Sequence, residues 1–149
     1  MREEIAAALK NALKAQDKRR VCTLRLIQAA VTDRDIANRG AGKDPVTDED
    51  ILQILAKMVK QREESAKAFE DGARLDMAEQ ERQEIAIIRE FMPRQLCEED
   101  TKTAVRQVID DIGAEGLRDM GRCMATLKER YPGQMDFAKA NGIAKNMLQ

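Results

Sequence analysis

Residues 47–72 read TDEDILQILAKMVKQREESAKAFEDG, and this stretch decides the fold class. Thr47 is a good helix N-cap, and Asp50 three positions later gives a pattern close to a capping box. Apolar residues then return every three or four positions, which is the period of an α-helix, until Gly72 ends the pattern. The stretch therefore predicts a long amphipathic helix that follows Thr47 and ends at about residue 70.

The same period recurs along the rest of the chain, and no stretch alternates in the manner of a β-strand. Ala, Leu, Lys, Arg, Glu and Gln, which favour helices, dominate the composition. Seven helices are predicted, at about residues 3–15, 17–38, 48–70, 76–91, 98–112, 120–130 and 137–148. We therefore expect an all-α protein.

A break in the helical pattern at Met92-Pro93 separates the first four helices from the last three. We expect an N-terminal four-helix bundle over residues 1–93 and a small three-helix tail domain over residues 97–149, with a hinge between them. The spacing of apolar residues also predicts which side of each helix faces inward. Residues predicted inward include Leu9, Leu13, Ile36, Phe69, Leu117 and Leu127.

The charge balance excludes a strongly basic or acidic protein. The 26 basic and 27 acidic residues give a net charge of −1, so no global field attracts nucleic acid or a membrane. The bias is local, because residues 1–43 carry 10 Lys/Arg against 5 Asp/Glu. No apolar run approaches the roughly 20 residues that span a bilayer, and charges interrupt the first 20 residues, unlike a signal peptide. We expect a cytoplasmic protein without a membrane partner.

The chain contains no histidine, which excludes His-based acid–base catalysis, Ser–His and Cys–His nucleophile pairs and most zinc sites. Cys22, Cys97 and Cys123 suit neither a disulfide framework nor a CxxC site. We expect free thiols, with Cys22 and Cys123 as core residues and Cys97 as a helix N-cap. The turn at residues 40–43 lacks the spacing of a phosphate loop. We expect no catalytic residue, no cofactor and no metal.

Charged residues that interrupt the apolar faces form the first candidate site. Arg62 falls among inward positions of the third helix, Glu81 and Glu84 flank the inward face of the fourth, and Arg25 neighbours a core position of the second. A lone buried ion costs several kcal/mol, so we expect Arg62 to pair with Glu81 or Glu84. Two interpretations stay open: a structural clamp between helices, or a polar pocket formed by all four residues.

Basic residues of the tail form the second candidate site. They are Arg122, Lys128, Lys139 and Lys145. If these side chains share a face, a few contacts to phosphates would give weak, salt-sensitive RNA binding. The alternative is that they are scattered surface charges without a common ligand.

Five stretches, taken in their order and spacing, resemble the GatB/YqeY family over nearly the whole chain. They are LRLIQAA at residues 24–30, KQREES at 60–65 followed by Phe69, the run Arg74…Glu81…Glu84, FMPRQL at 91–96, and DMGRCMATLKERYPGQMD at 119–136. The last stretch is similar to the tail of the B subunit of the tRNA-dependent amidotransferase. The resemblance implies an N-terminal helical bundle with a small three-helix tail domain, and it places Cys97 where the family usually has a Ser cap.

The resemblance also implies a set of functions. In the amidotransferase the tail domain contacts tRNA, while other parts of the complex form the amide on Glu-tRNA or Asp-tRNA. Stand-alone members are described as carbon–nitrogen ligases that use glutamine as amide donor, a reaction that needs an activated nucleophile and an ATP site. Since neither is visible here, we expect an amidotransferase-associated module that binds tRNA without catalysis, beside an aminoacyl-tRNA synthetase or an amidotransferase. The alternatives are the ligase itself and a pure protein–protein interaction module.

Overall fold

The computed structural model describes all 149 residues, Met1–Gln149, and consists of helices and the turns that join them. The helices are α1 (Arg2–Lys14), α2 (Lys18–Gly40), α3 (Asp48–Asp71), α4 (Leu75–Arg89), α5 (Glu98–Ile112), α6 (Met120–Arg130) and α7 (Phe137–Leu148). The all-α class is confirmed, and every predicted helix is present. No helix is both long enough and apolar enough to cross a membrane.

Side chains at the helix ends explain where the helices begin. Thr47 Oγ1 accepts the Asp50 N–H at 3.2 Å, and the Asp50 carboxylate accepts the Thr47 N–H at 3.0 Å, which completes a capping box before α3. Cys97 Sγ accepts the Asp100 N–H at 3.4 Å before α5, so its predicted role as an N-cap is confirmed. These contacts satisfy N–H groups that a helix N-terminus otherwise leaves without partners.

The chain divides into two compact units, Met1–Met92 and Pro93–Gln149. The predicted hinge is hydrogen-bonded within the second unit. Leu96 donates its N–H to the Gln134 carbonyl at 2.8 Å, and the Gln95 side chain donates to the Gly133 carbonyl at 2.6 Å. The domain bounds 1–93 and 97–149 stay a prediction, because compactness alone does not establish that a unit folds independently.

In the first unit, α1 folds back along α2, and α3 and α4 form an antiparallel hairpin. The Arg2 guanidinium donates to both oxygens of Asp35 at 2.8 Å and to the Val46 carbonyl at 3.1 Å, which ties the start of α1 to the far end of α2. The largest fully buried side chains of this unit are Leu24, Ile27, Ile51, Leu55 and Ile88. One core therefore joins α2, α3 and α4, and Ile5 and Ala12 of α1 also belong to it.

Three residues predicted to face inward are exposed instead. Leu13 and Leu117 are each 48% exposed and Ile36 is 62% exposed. Ile36 lies nine residues after buried Ile27, which is two and a half turns and so the opposite side of α2. Leu117 belongs to a short 3-10 turn before α6, where the period of the helix is broken.

The second unit packs α5, α6 and α7 around a smaller core. Its buried apolar residues are Ala104, Val105, Val108, Leu127, Met135, Ala140 and Ala144. Ala140 and Ala144 are one turn apart, so the side of α7 that carries them faces the core and the opposite side faces solvent.

Candidate functional site

The first candidate site centres on an ion pair between α3 and α4. Arg62 Nε donates to Glu84 Oε2 at 2.8 Å, and Arg62 Nη1 donates to the Met58 carbonyl at 3.3 Å. The Arg62 side chain is 14% exposed and that of Glu84 is 22% exposed, so water screens this pair less than a surface pair. The pairing with Glu84 settles which of the two predicted carboxylates Arg62 contacts directly.

Glu81 lies one turn before Glu84 on α4 and is half-buried. It forms no hydrogen bond or ion pair. Burial raises the pKa of the Glu81 carboxyl, the negative charge of Glu84 raises it further, and the positive charge of Arg62 opposes both effects. One guanidinium therefore neutralises two neighbouring carboxylates, of which only Glu84 is hydrogen-bonded.

Arg25 is not brought to this cluster. It is exposed, forms no ion pair with Glu81 or Glu84, and lines a shallow groove on α2 together with Cys22 and Leu26. The reason is local, because Leu24 is fully buried and the next residue along a helix turns by about 100° toward solvent. Of the two interpretations that the sequence left open, the four-residue polar pocket is thus reduced to Arg62, Glu81 and Glu84.

Two further ion pairs accompany the Arg62–Glu84 contact along the α3–α4 hairpin. Arg89 donates to Glu63 at 2.6 Å, and Arg82 pairs with Glu70. Both are more exposed than the Arg62–Glu84 pair. Each of these three contacts joins a charge of α3 to an opposite charge of α4, an arrangement that suits a structural clamp between the two helices.

The second candidate site is the basic surface of the second unit, and Arg122 has an internal role there. Arg122 Nη2 donates to the Ile112 carbonyl at 3.0 Å, and Nη1 donates to Asp119 at 3.3 Å. The Ile112 carbonyl is at the C-terminal end of α5, where backbone oxygens lack helical partners. Arg122 therefore ties α6 to the end of α5, and its guanidinium is less free than a surface lysine to contact a ligand.

Lys128, Lys139 and Lys145 are exposed and form no ion pair. The two lysines of α7 are six residues apart, which places them at the two edges of its solvent-facing side. Gly142 lies between them, and a Cβ added there would meet nothing within 4 Å. Lys139 is also near Glu98, whose pKa is lowered mainly by its hydrogen bond to Lys102 and to a smaller extent by Lys139.

Sequence reasoning identified Lys139 and Lys145 but missed that the solvent-facing side of α7 carries no acidic residue. The helix sequence FAKANGIAKNML contains two lysines and two asparagines but no acidic residue. By contrast, the first turn of α5 carries three acidic residues. Charged residues make up 36% of the chain, yet the twelve residues of α7 contain no Asp or Glu. The sequence alone could therefore have indicated that this side of α7 is free of acidic residues.

The cysteines differ in exposure. Cys123 is fully buried, and burial raises the pKa of its thiol. Cys22 and Cys97 are exposed, so the expectation that Cys22 fills the core is wrong. Cys22 lies on the solvent-facing side of α2, where it lines the same groove as Arg25. No group of three or more Cys, Asp or Glu side chains is placed to hold a metal ion.

With this geometry established, comparison with known proteins identifies the family. The sequence model of a family described as "Yqey-like protein" matches residues 2–148. The chain belongs to the YqeY family. The match covers both units, so α7 and the α3–α4 hairpin both lie within the region that the YqeY family model describes.

Three proteins similar to this YqeY chain are fungal. An uncharacterized protein of Schizosaccharomyces pombe is 32% identical over 89 residues, which cover 60% of this chain and 69% of the relative. A protein of Pyrenophora tritici-repentis is 26% identical over 133 residues, 85% of this chain and 70% of the relative. A protein of Clavispora lusitaniae is 34% identical over 84 residues, 56% of this chain and 46% of the relative. The last two are both named "Altered inheritance of mitochondria protein 41, mitochondrial".

Proposed function

We propose that this chain is a non-catalytic helical module that binds tRNA through its tail, beside an aminoacyl-tRNA synthetase or an amidotransferase. In this proposal the first unit is a four-helix bundle, the second is a three-helix tail domain that folds independently, and the protein works in the cytoplasm. The observation that carries the proposal is the solvent-facing side of α7, which presents two lysines and no acidic residue.

The chemistry of that side suits a phosphate backbone. Affinity for nucleic acid comes mainly from cations placed at phosphates, and nearby carboxylates oppose it. Lys139 and Lys145 supply the cations, while Asn141 and Asn146 supply uncharged donors that also contact phosphates and sugars. Gly142 leaves the centre of this side without a side chain, so a ligand backbone can approach the helix closely.

The composition further restricts the mode of binding. The chain has only four aromatic residues (three Phe and one Tyr) and no Trp, so it lacks the stacking platforms that read single-stranded bases. Contacts from lysine to phosphate carry no base sequence information. We therefore propose weak, salt-sensitive binding to the body of tRNA, with the choice of tRNA left to the protein partner.

No observation favours the carbon–nitrogen ligase alternative. Release of ammonia from glutamine needs an activated nucleophile, and the chain has no histidine to serve as its base. The buried thiol of Cys123 has a raised pKa and stays protonated at neutral pH, which makes it a poor nucleophile.

Filter binding of bulk tRNA over a salt series tests the proposal. The informative variant is Lys139→Gln/Lys145→Gln, and the matched control is Lys57→Gln/Lys60→Gln, which removes two exposed lysines of α3. We expect only the α7 variant to lose affinity, with the slope of log K against log salt reduced by about 1.5 for two lost phosphate contacts. Absence of binding at low salt, or equal losses in both variants, would refute the proposal.

A further inference from the structure

We propose that a second copy of this chain docks antiparallel against the outer face of α2, centred on Ala29. The outer face is the solvent-exposed side of α2 formed by Cys22, Arg25, Leu26, Ala29, Asp33 and Ile36. This inference concerns the first unit and is independent of tRNA binding by the tail.

The outer face is apolar at positions where a solvent-facing helix side is normally polar. Leu26 is 43% exposed and Ile36 is 62% exposed, although both are large hydrophobic residues. Cys22, Ala29 and Ile36 recur every seven residues, the repeat that keeps one side of a helix against a partner helix. The pattern therefore continues along about four turns of α2, from Cys22 to Ile36.

Two charges in this face have no partner within the chain. The ion pairs of α2 are those of Arg20 with Glu90 and of Asp35 with Arg2, which leaves Arg25 and Asp33 unpaired. Both side chains are exposed. Within an apolar strip, exposed charges of opposite sign can pair with opposite charges of a partner and so fix the register of the contact.

The spacing of these charges selects a second copy as that partner. Arg25 lies four residues before Ala29 and Asp33 lies four residues after it. When two copies of α2 meet antiparallel with Ala29 opposite the partner's Ala29, Arg25 comes opposite the partner's Asp33, and the same contact forms twice by symmetry. A parallel arrangement in register would instead place Arg25 opposite an identical charge, which is unfavourable.

The remaining positions agree with this arrangement. Cys22 and Ile36 are each seven residues from Ala29, so each would face an apolar residue of the partner. Ala29 at the centre permits a close approach of the two helices because its side chain is small. The net charge of −1 also leaves little long-range repulsion between copies.

A single helix pair gives a small interface. A helix of 23 residues is about 35 Å long, and a contact of that length lies near or below the lower end of stable interfaces, about 1,200 Å². We therefore expect a reversible dimer that forms in the micromolar to submillimolar range.

Sedimentation velocity of the full chain, under reducing conditions from about 10 µM to about 1 mM, tests the dimer and its charge pair. We expect Arg25→Glu and Asp33→Arg to weaken the dimer by about tenfold each, and the double variant Arg25→Glu/Asp33→Arg to recover most of the affinity because the pair is restored with inverted charges. Circular dichroism checks that each variant stays helical. A wild-type chain that stays monomeric throughout, or a double variant no tighter than the single ones, would overturn the proposal.

A cysteine variant tests the register. In a chain with Cys22→Ser and Cys97→Ser, Ala29→Cys should form a disulfide-linked dimer on oxidation, because the two positions lie opposite each other at the symmetry axis. Ala37→Cys, an exposed alanine of the same helix away from the axis, is the matched control and should stay unlinked. Equal crosslinking of both variants would overturn the antiparallel register.

Discussion

Replacement of Arg62 by methionine tests whether the pair with Glu84 holds the α3–α4 hairpin together. Arg62→Met keeps the aliphatic stem of the side chain and removes the guanidinium that Glu84 contacts at 2.8 Å. The two carboxylates that Arg62 neutralises, Glu84 and Glu81, would then repel each other without a counter-ion. We expect the variant to fold with a lower free energy of unfolding.

The magnitude follows from the burial of the pair. Loss of one partner costs about 3–5 kcal/mol for a fully buried pair and about 0–1 kcal/mol for an exposed one. The side chains of Arg62 and Glu84 are 14% and 22% exposed, so we expect a loss of about 2 kcal/mol. For a chain of this size that corresponds to a fall in the melting temperature of about 4–8 °C.

Urea unfolding followed by circular dichroism at pH 7 measures this loss, and a double-mutant cycle with Glu84→Gln assigns it. We expect a coupling energy of about 1–2 kcal/mol between the two positions. The matched control is Arg82→Met, since the Arg82–Glu70 pair is more exposed and should cost less than about 1 kcal/mol. A loss of unfolding free energy in Arg62→Met no larger than in Arg82→Met, or an undiminished loss when Glu84 is already glutamine, would show that the Arg62–Glu84 pair does not hold the hairpin together.

Three further substitutions test other contacts. Glu81→Gln should raise the free energy of unfolding at pH 7 and have little effect at pH 4. Because the pKa of Glu81 is raised, the folded state binds the proton more tightly than the unfolded state, and the wild type loses stability as the pH rises above about 4.5. Urea titrations measure this, and an equal gain in unfolding free energy at pH 4 and pH 7 would contradict it. Asp35→Asn should lower the free energy of unfolding at pH 7 but not below pH 2. The hydrogen bond from Arg2 lowers the pKa of Asp35 to about 2, so the stabilisation by the charged carboxylate is lost as the pH falls from 3.8 through 2. Acid titration by circular dichroism measures this, and a difference between wild type and variant that stays constant with pH would contradict it. Cys97→Ser should raise the free energy of unfolding by about 0.5–1 kcal/mol, because a hydroxyl is a better N-cap acceptor than a thiol. The control Cys22→Ser should not raise it. Equal melting temperatures for wild type and Cys97→Ser would contradict this prediction.

The sequence predicted the helices well because their signals are local. Thr47 with Asp50, and Cys97 before an acidic turn, mark helix starts that depend only on neighbouring residues. The period of apolar residues between such caps then indicates a helix whatever its surroundings. Each of the seven helices could therefore be placed before any tertiary contact was known.

The inward side of α2 could not be predicted in full, and the errors at Cys22 and Ile36 follow from this. The helix carries apolar residues on two sides, with Leu24, Ile27 and Val31 buried and Leu26 and Ile36 exposed. Which side is buried depends on the positions of α3 and α4, and the local sequence does not encode them. Cys22 lies on the exposed side for the same reason.

The partners of the charged candidates likewise depend on tertiary contacts. Glu81 and Glu84 are one turn apart, so only the register of the α3–α4 hairpin determines which of them Arg62 contacts. Arg122 bonds the Ile112 carbonyl ten residues earlier in the chain, a contact that no helical spacing indicates. The acid-free side of α7, in contrast, could have been found from composition alone.

The most direct test of the central claim is the salt dependence of tRNA affinity for the wild type and for Lys139→Gln/Lys145→Gln. If the chain holds tRNA through α7, the wild type binds at low salt, its affinity falls steeply as salt is added, and the variant binds more weakly with a shallower slope. If the two proteins give the same affinity and the same slope at every salt concentration, the phosphate contacts do not lie on α7 and the account is wrong.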